Sequence, residues 1–259
     1  MDDLFFYDVN CGVGRTPVDG SEPDMTALLA EMDYYGIEKG LVRHNNIDML
    51  GALQSNIEIA SMLKKYDPAE RLSGVWCILP EQCDEIPPAD EFFLQMKDNR
   101  IKALILSPNK HFFIPNRITI GKIMDAAKER HIPVFLDKMN YDMPGLDGWE
   151  MIYRFMAEFP ENICILCDFP GKWGHDRQVR PLLETYSGFY YATTGYWNVR
   201  GIRDYAEKYG AERFLYGSGF PYFNHGSQMT QIKFSGLSAG DNAKIAGGNL
   251  QRLLERVEL

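Results

Sequence analysis

The chain lacks a long hydrophobic run. No stretch of its 259 residues approaches the ~20 apolar residues that span a bilayer, so no membrane partner is expected. The first residues, MDDLFFYDVN, carry neither a positive cluster nor an extended apolar segment, and do not read as a secretory signal. Excess positive charge is also absent. Lys and Arg total 27 against 36 Asp and Glu, a formal net charge of −9. A net-negative field repels phosphate backbones, which disfavours nucleic acid as a partner. Cysteine is scarce and odd in number: Cys11, Cys77, Cys83, Cys164 and Cys167. Scattered cysteines of this kind fit reduced thiols in a cytoplasm better than a disulfide framework. Cys164 and Cys167 form a C-x-x-C, but inside the apolar run NICILCDF. Residues three apart on a strand face opposite sides, so the pair reads as core thiols and not as a metal clamp or a disulfide. Ser- or Pro-rich linkers, internal repeats and low-complexity segments are missing too, which leaves one domain over residues 1–259.

What is present is alternation. Apolar, β-branched or aromatic runs read as buried strands at Leu4–Val9, Gly40–His44, Leu72–Leu79 and Ile101–Leu106. Four more follow at Ile132–Leu136, Ile163–Phe169, Gly188–Thr194 and Arg213–Gly217. Helical spacing fills the gaps. Leu28, Met32 and Tyr35 share a face that stops at Gly36; Ile59, Met62, Leu63 and Tyr66 repeat it. Ile120, Ile123, Met124 and Ala127 do the same, as do Ile202, Tyr205, Ala206 and Tyr209 before Gly210. A last helix carries Leu250, Leu253, Leu254 and Val257. Strand–helix alternation implies a parallel sheet, and this many units in a chain of this length suit a (β/α)8 TIM barrel. The competing doubly wound sheet usually shows a Gly-rich phosphate loop after its first strand. Here that turn reads NCGVGRTP, with Pro17 where the third Gly would stand, so the barrel is preferred.

Barrels of this type build their sites at the C-terminal strand ends. Those ends offer Asp8, Asn10 and Cys11, then Arg43 and His44, then Ser107 to His111. Asp137 and Lys138, Asp168 and Lys172, Thr194, Tyr196 and Trp197, and Ser218, Tyr222 and His225 complete the rim.

With those ends in hand, the chain resembles the amidohydrolase-related family of metal-dependent hydrolases and decarboxylases. The likeness runs from about Phe6 to Leu254 through ordered segments: YGIEKGLVRH, SNIEIASMLKKYDPAERLSGVWCILP, AAKERHIPVFLD, ICILCDFPG, GAERFLYGSGFP and NAKIAGGNLQRLL. Asn56, Arg71, Gly74, Pro80, Gly247, Gly248, Asn249 and Arg252 match within them. The ligands do not. The family's first strand ends Asp-x-His-x-His, where this chain has Asp8, Asn10 and Gly12. Ile105 and Ser107 end the fourth strand, Asp137 and Asp168 stand for the fifth- and sixth-strand histidines, and Gly219 for the eighth-strand aspartate. A catalytic zinc site needs three protein ligands, and glycine supplies none. No metal ligands and no cofactor are therefore expected, with a hard divalent cation on Asp137 and Asp168 as the alternative.

The resemblance implies hydrolysis of a C–O or C–N bond, or decarboxylation, in a small organic acid or lactone. Asp137 and Asp168 are the catalytic candidates. Either works as general acid/base, or both shape the rim against Arg43, Lys138 or Lys172. Arg43, Lys138 and Lys172 suit an anionic group on the ligand. Cys11 reads as a buried thiol, or as a nucleophile activated by His44. His44 reads as a ligand contact or a plain rim histidine, and His225 as a pocket cover or an exposed loop histidine. Asn10, Tyr196, Trp197 and Tyr222 are further ligand-lining candidates. Phe112 and Phe113 pack over the pocket or form a homo-oligomer contact. The partner expected is a small molecule. The rival reading is a catalytically inactive barrel kept as a ligand-binding or interaction protein.

Overall fold

The computed structural model describes residues 4–16, 20–47, 51–167, 175–196, 198 and 200–259. Eight strands follow in chain order and pair in parallel, each with the next. They are β1 (Tyr7–Val13), β2 (Lys39–His44), β3 (Leu72–Cys77), β4 (Ile101–Ile105), β5 (Val134–Leu136), β6 (Cys164–Leu166), β7 (Phe189–Ala192) and β8 (Phe214–Leu215). The seam closes through backbone bonds. The Val9 N–H donates to the Tyr216 carbonyl, Gly219 to Asn10 and Gly12 to Phe220, each at 2.9 Å. A parallel barrel of interleaved helices results, the (β/α)8 architecture.

Strand limits differ from the apolar runs because pairing, not apolarity, sets them. β1 begins three residues later than expected and continues to Val13, since its ladder to β2 runs from Tyr7 with Lys39 to Val13 with His44. Leu4 and Phe5 pack against the core without joining the ladder. β5 starts at Val134: Pro133 has no N–H to donate. β3, β6, β7 and β8 are shorter than their runs, and Phe169 lies outside the described residues.

The helices form where their apolar faces predict. Met25–Tyr35 buries Leu28 and Met32, is capped by Asp24 accepting from Ala27 N–H at 2.8 Å, and stops at Gly36 with φ 68°. Ala52–Tyr66 buries Ile59 and Leu63, Arg117–Glu129 buries Ile120, Ile123, Met124 and Ala127, and Gly201–Tyr209 buries Ile202, Tyr205 and Ala206. Three of the residues that carried the family resemblance are polar staples. Asn56 bonds both backbone groups of Cys77, at 2.7 and 2.8 Å. Asn249 donates to the Ala211 and Phe214 carbonyls at 2.8 Å each, and Arg71 donates to the Ile37 and Glu38 carbonyls. None of the five cysteines is in a disulfide; Cys83 is exposed and the rest are buried. Among the described residues no helix is long and apolar enough to cross a membrane.

Candidate functional site

The register of β1 slips between Asp8 and Cys11. A bulge of this kind re-aims side chains. The Asn10 amide crosses the barrel, donating to the Cys167 carbonyl at 3.2 Å and to Thr194 Oγ1 at 3.3 Å. Asp8 is fully buried and turns to the seam instead. Its Oδ1 accepts from the Asn10 and Ser218 N–H groups at 2.9 Å each, and its Oδ2 accepts from the Ser218 hydroxyl. This carboxylate ties β1 to the segment after β8.

Across the mouth, Arg43 at the end of β2 faces Asp137 at the end of β5. Nη1 and Oδ2 stand 3.7 Å apart, and the side chains are 15% and 14% exposed. Asp137 Oδ1 also accepts from the Met139 N–H at 3.1 Å, capping the short helix Lys138–Tyr141. The sequence pairs these residues only as alternatives; the fold brings them together.

Several other candidates are drawn elsewhere. Lys138 is committed to Asp142, one helical turn on. Cys11 donates its thiol to the Leu41 carbonyl at 3.1 Å, and burial, reinforced by Asp8, raises its pKa well above the ordinary value. A thiol held protonated is a poor nucleophile. His44 does not reach it. Its Nδ1 accepts from the Asn46 N–H at 3.2 Å and its Nε2 stands 3.0 Å from Glu58 Oε2, which places the proton on Nε2. Burial lowers the His44 pKa against the pull of Glu58. Tyr196 packs its ring edge-on against Tyr191 and Tyr205, in the layer between barrel and helix, and burial pushes its phenol up to about 12. Tyr222 is half-buried in the turn after β8, its N–H donating to the Gly219 carbonyl at 2.9 Å. Asp168, Lys172 and Trp197 lie outside the described residues.

His225 is buried, contrary to an exposed loop position. Its ring stacks on Phe220 at 5.4 Å and 17°, with Tyr35 at 5.5 Å. Its Nδ1 is 3.7 Å from Asp8 Oδ2, and among the described residues neither ring nitrogen is hydrogen-bonded. Burial lowers its pKa, with Asp8 and Glu31 pulling the other way. Phe112 is 85% exposed, whereas Phe113 is buried.

Three contacts at the mouth are not signalled by any motif. A Cβ on Gly12 would meet Asn45 Oδ1 at 2.1 Å. A Cβ on Gly219 would meet Thr194 Cγ2 at 2.6 Å and Phe223 Cδ2 at 2.9 Å. Two glycines at expected ligand positions were the one available hint that neighbours stand in their place.

The chain matches no protein-family model and no curated protein. Solved structures do match it along their whole length. An uncharacterised TIM-barrel protein, Bb4693 from Bordetella bronchiseptica, is 20% identical over 98% of this chain and 99% of its own, with a TM-score of 0.71. The 5-carboxyvanillate decarboxylase LigW from Sphingomonas paucimobilis is 16% identical over 98% and 99%, at 0.71. A dihydroxybenzoic acid decarboxylase from Polaromonas sp. JS666, solved with manganese and the inhibitor 2-nitroresorcinol, is 15% identical over 99% and 98%, at 0.75. These likenesses establish the fold.

A metal of the kind held by the Polaromonas protein does not fit the described residues here. Asn10 spends its amide nitrogen on Cys167 and Thr194, Asp137 faces a guanidinium, and the volumes beside Gly12 and Gly219 are filled. Among the described residues no three His, Cys, Asp or Glu side chains are grouped to hold a metal ion.

Proposed function

We propose that the protein is an amidohydrolase-related hydrolase or decarboxylase of a small organic acid or lactone, working at the barrel mouth without a metal. The Arg43–Asp137 pair carries this reading. It sets a fixed cation and a carboxylate at the strand ends, where barrels of this architecture place chemistry. Asn10 and Thr194 form a separate polar contact at the barrel floor.

In the hydrolytic form, Arg43 binds the carboxylate of the substrate, which competes with Asp137 for the guanidinium. Asp137 then takes a proton from water while the water oxygen bonds to the lactone carbonyl carbon. The ring C–O bond breaks, and its oxygen recovers that proton from Asp137, leaving a hydroxy acid. Asp168 is the second acid/base candidate. General acid–base steps of this kind contribute about 10²–10⁴ in rate.

The test is a screen of lactones, amides and small carboxylic acids, repeated with Asp137→Asn, Asp168→Asn and Arg43→Gln. Loss of about 10²–10⁴ in kcat for an aspartate variant, and a raised KM for Arg43→Gln, is expected. Turnover unchanged in both aspartate variants refutes the assignment. One observation favours the rival, a non-catalytic ligand-binding barrel: the expected metal positions that are described are all altered, and two are packed shut. Ligand binding with no turnover across the screen is its signature. The disulfide-free thiols support a cytoplasmic location, and exposed Phe112 supports a homo-oligomer contact.

A further inference from the structure

We infer that the mouth is packed so that it excludes a metal even if histidines are placed at 10 and 12 and an aspartate at 219, and that Gly12 and Gly219 are requirements of this packing. The inference rests on the metal-independent reading of the mouth and goes beyond it. Absent ligands are a matter of side chains; here the obstacle lies in the neighbours and in the backbone.

At Gly12 the obstacle is Asn45. Its Oδ1 lies 2.1 Å from where a Cβ would stand, and its Cγ lies 3.1 Å away. Asn45 is tethered, since its Nδ2 donates to the Gly14 carbonyl at 3.1 Å and its backbone N–H to the Val13 carbonyl at 2.7 Å. Moving its side chain breaks the first of these bonds. A histidine at 12 would need that space before it could reach the barrel axis.

At Gly219 the obstacle is twofold. The residue has φ +75°, in the left-handed region that L side chains adopt rarely. Its conformation is pinned on both sides. The Gly219 N–H donates to the Asn10 carbonyl at 2.9 Å, and its carbonyl accepts from Tyr222 at 2.9 Å and Phe223 at 3.3 Å. The Cβ direction is closed by Thr194 and Phe223. Thr194 is fully buried and holds the Asn10 amide, so it cannot withdraw without releasing the floor. An aspartate at 219 would therefore not aim a carboxylate at the place a metal would occupy.

Two measurements, neither of which needs turnover, test this. The first loads wild-type protein and the variant Asn10→His/Gly12→His/Gly219→Asp with Mn²⁺, removes free metal by gel filtration and counts manganese by elemental analysis. The variant is expected to retain no more than the wild type; stoichiometric extra manganese overturns the inference. The second compares urea midpoints of Gly12→Ala, Asn45→Ala and the double variant. Gly12→Ala is expected to lower the midpoint, and Asn45→Ala in that background to restore most of the loss. No loss, or a loss that Asn45→Ala leaves unrelieved, overturns it. If the triple variant does not fold, the Gly12→Ala pair decides alone. An inactive wild type in the substrate screen would sink the proposed chemistry without moving either readout.

Discussion

Replacing Asp8 by alanine unpairs a buried seam. The carboxylate accepts the Asn10 and Ser218 N–H groups at 2.9 Å each and the Ser218 hydroxyl, and it is fully buried. The hydroxyl rotates to another partner, but the two backbone N–H groups cannot. Each buried donor left unsatisfied costs about 1–3 kcal/mol, so Asp8→Ala should lose about 2–6 kcal/mol. That is a large share of the roughly 5–15 kcal/mol that holds a typical domain together. Asp8→Asn keeps an oxygen for both amides and should lose only about 1–2 kcal/mol. Urea denaturation with linear extrapolation measures both losses, provided the m-value is unchanged. The two variants losing the same amount, or Asp8→Ala losing under about 1 kcal/mol, would refute the view that this carboxylate holds β1 to β8.

His44 and His225 have folded pKa values lowered by burial. The unfolded chain thus binds their protons first. Their contribution to stability is whole above the unfolded value near 6.5 and is lost as pH falls from there towards the lowered folded values. The urea midpoint should drop between about pH 7.5 and 5.5, and less so in His225→Phe, which keeps the stack on Phe220; equal drops would exclude His225 as a source. Cys83 is exposed and should alkylate in the native protein, whereas Cys11 should react only on unfolding. Peptide mapping after iodoacetamide distinguishes them, and native labelling of Cys11 would contradict its burial.

Much of the barrel was legible because parallel barrels bury their strands on both sides. A run such as IKALIL needs no partner to be recognised, and β4 appears at Ile101–Ile105. Gly36 and Gly210 end their helices where the apolar faces stop. Strand ends were less legible, because a ladder is a property of two segments. The late start of β1 follows from Lys39, and that of β5 from the missing N–H of Pro133. The rim was legible as a set of strand-end residues but not as a site. Arg43 and Asp137 are 94 positions apart and meet only across the closed barrel. Lys138, an equally plausible partner in sequence, is taken by Asp142.

Residue type and order specify the parallel barrel and the net negative charge, and they put Asn10, Gly12, Asp137 and Asp168 where the family resemblance expects histidines. These depend on local periodicity and side-chain chemistry, which a linear string carries. Which way each side chain faces was decided by tertiary structure. One slipped residue in β1 sends Asp8 to the seam while Asn10 reaches the floor, and no pattern in YDVNCGVG announces that slip. What stands beside Gly12 and Gly219 was decided the same way. Gly12 and Gly219 read as deletions in the sequence, but close packing admits no empty volume of that size. Asn45 and Thr194, brought there by segments distant in the chain, and Phe223, four residues past Gly219, occupy it.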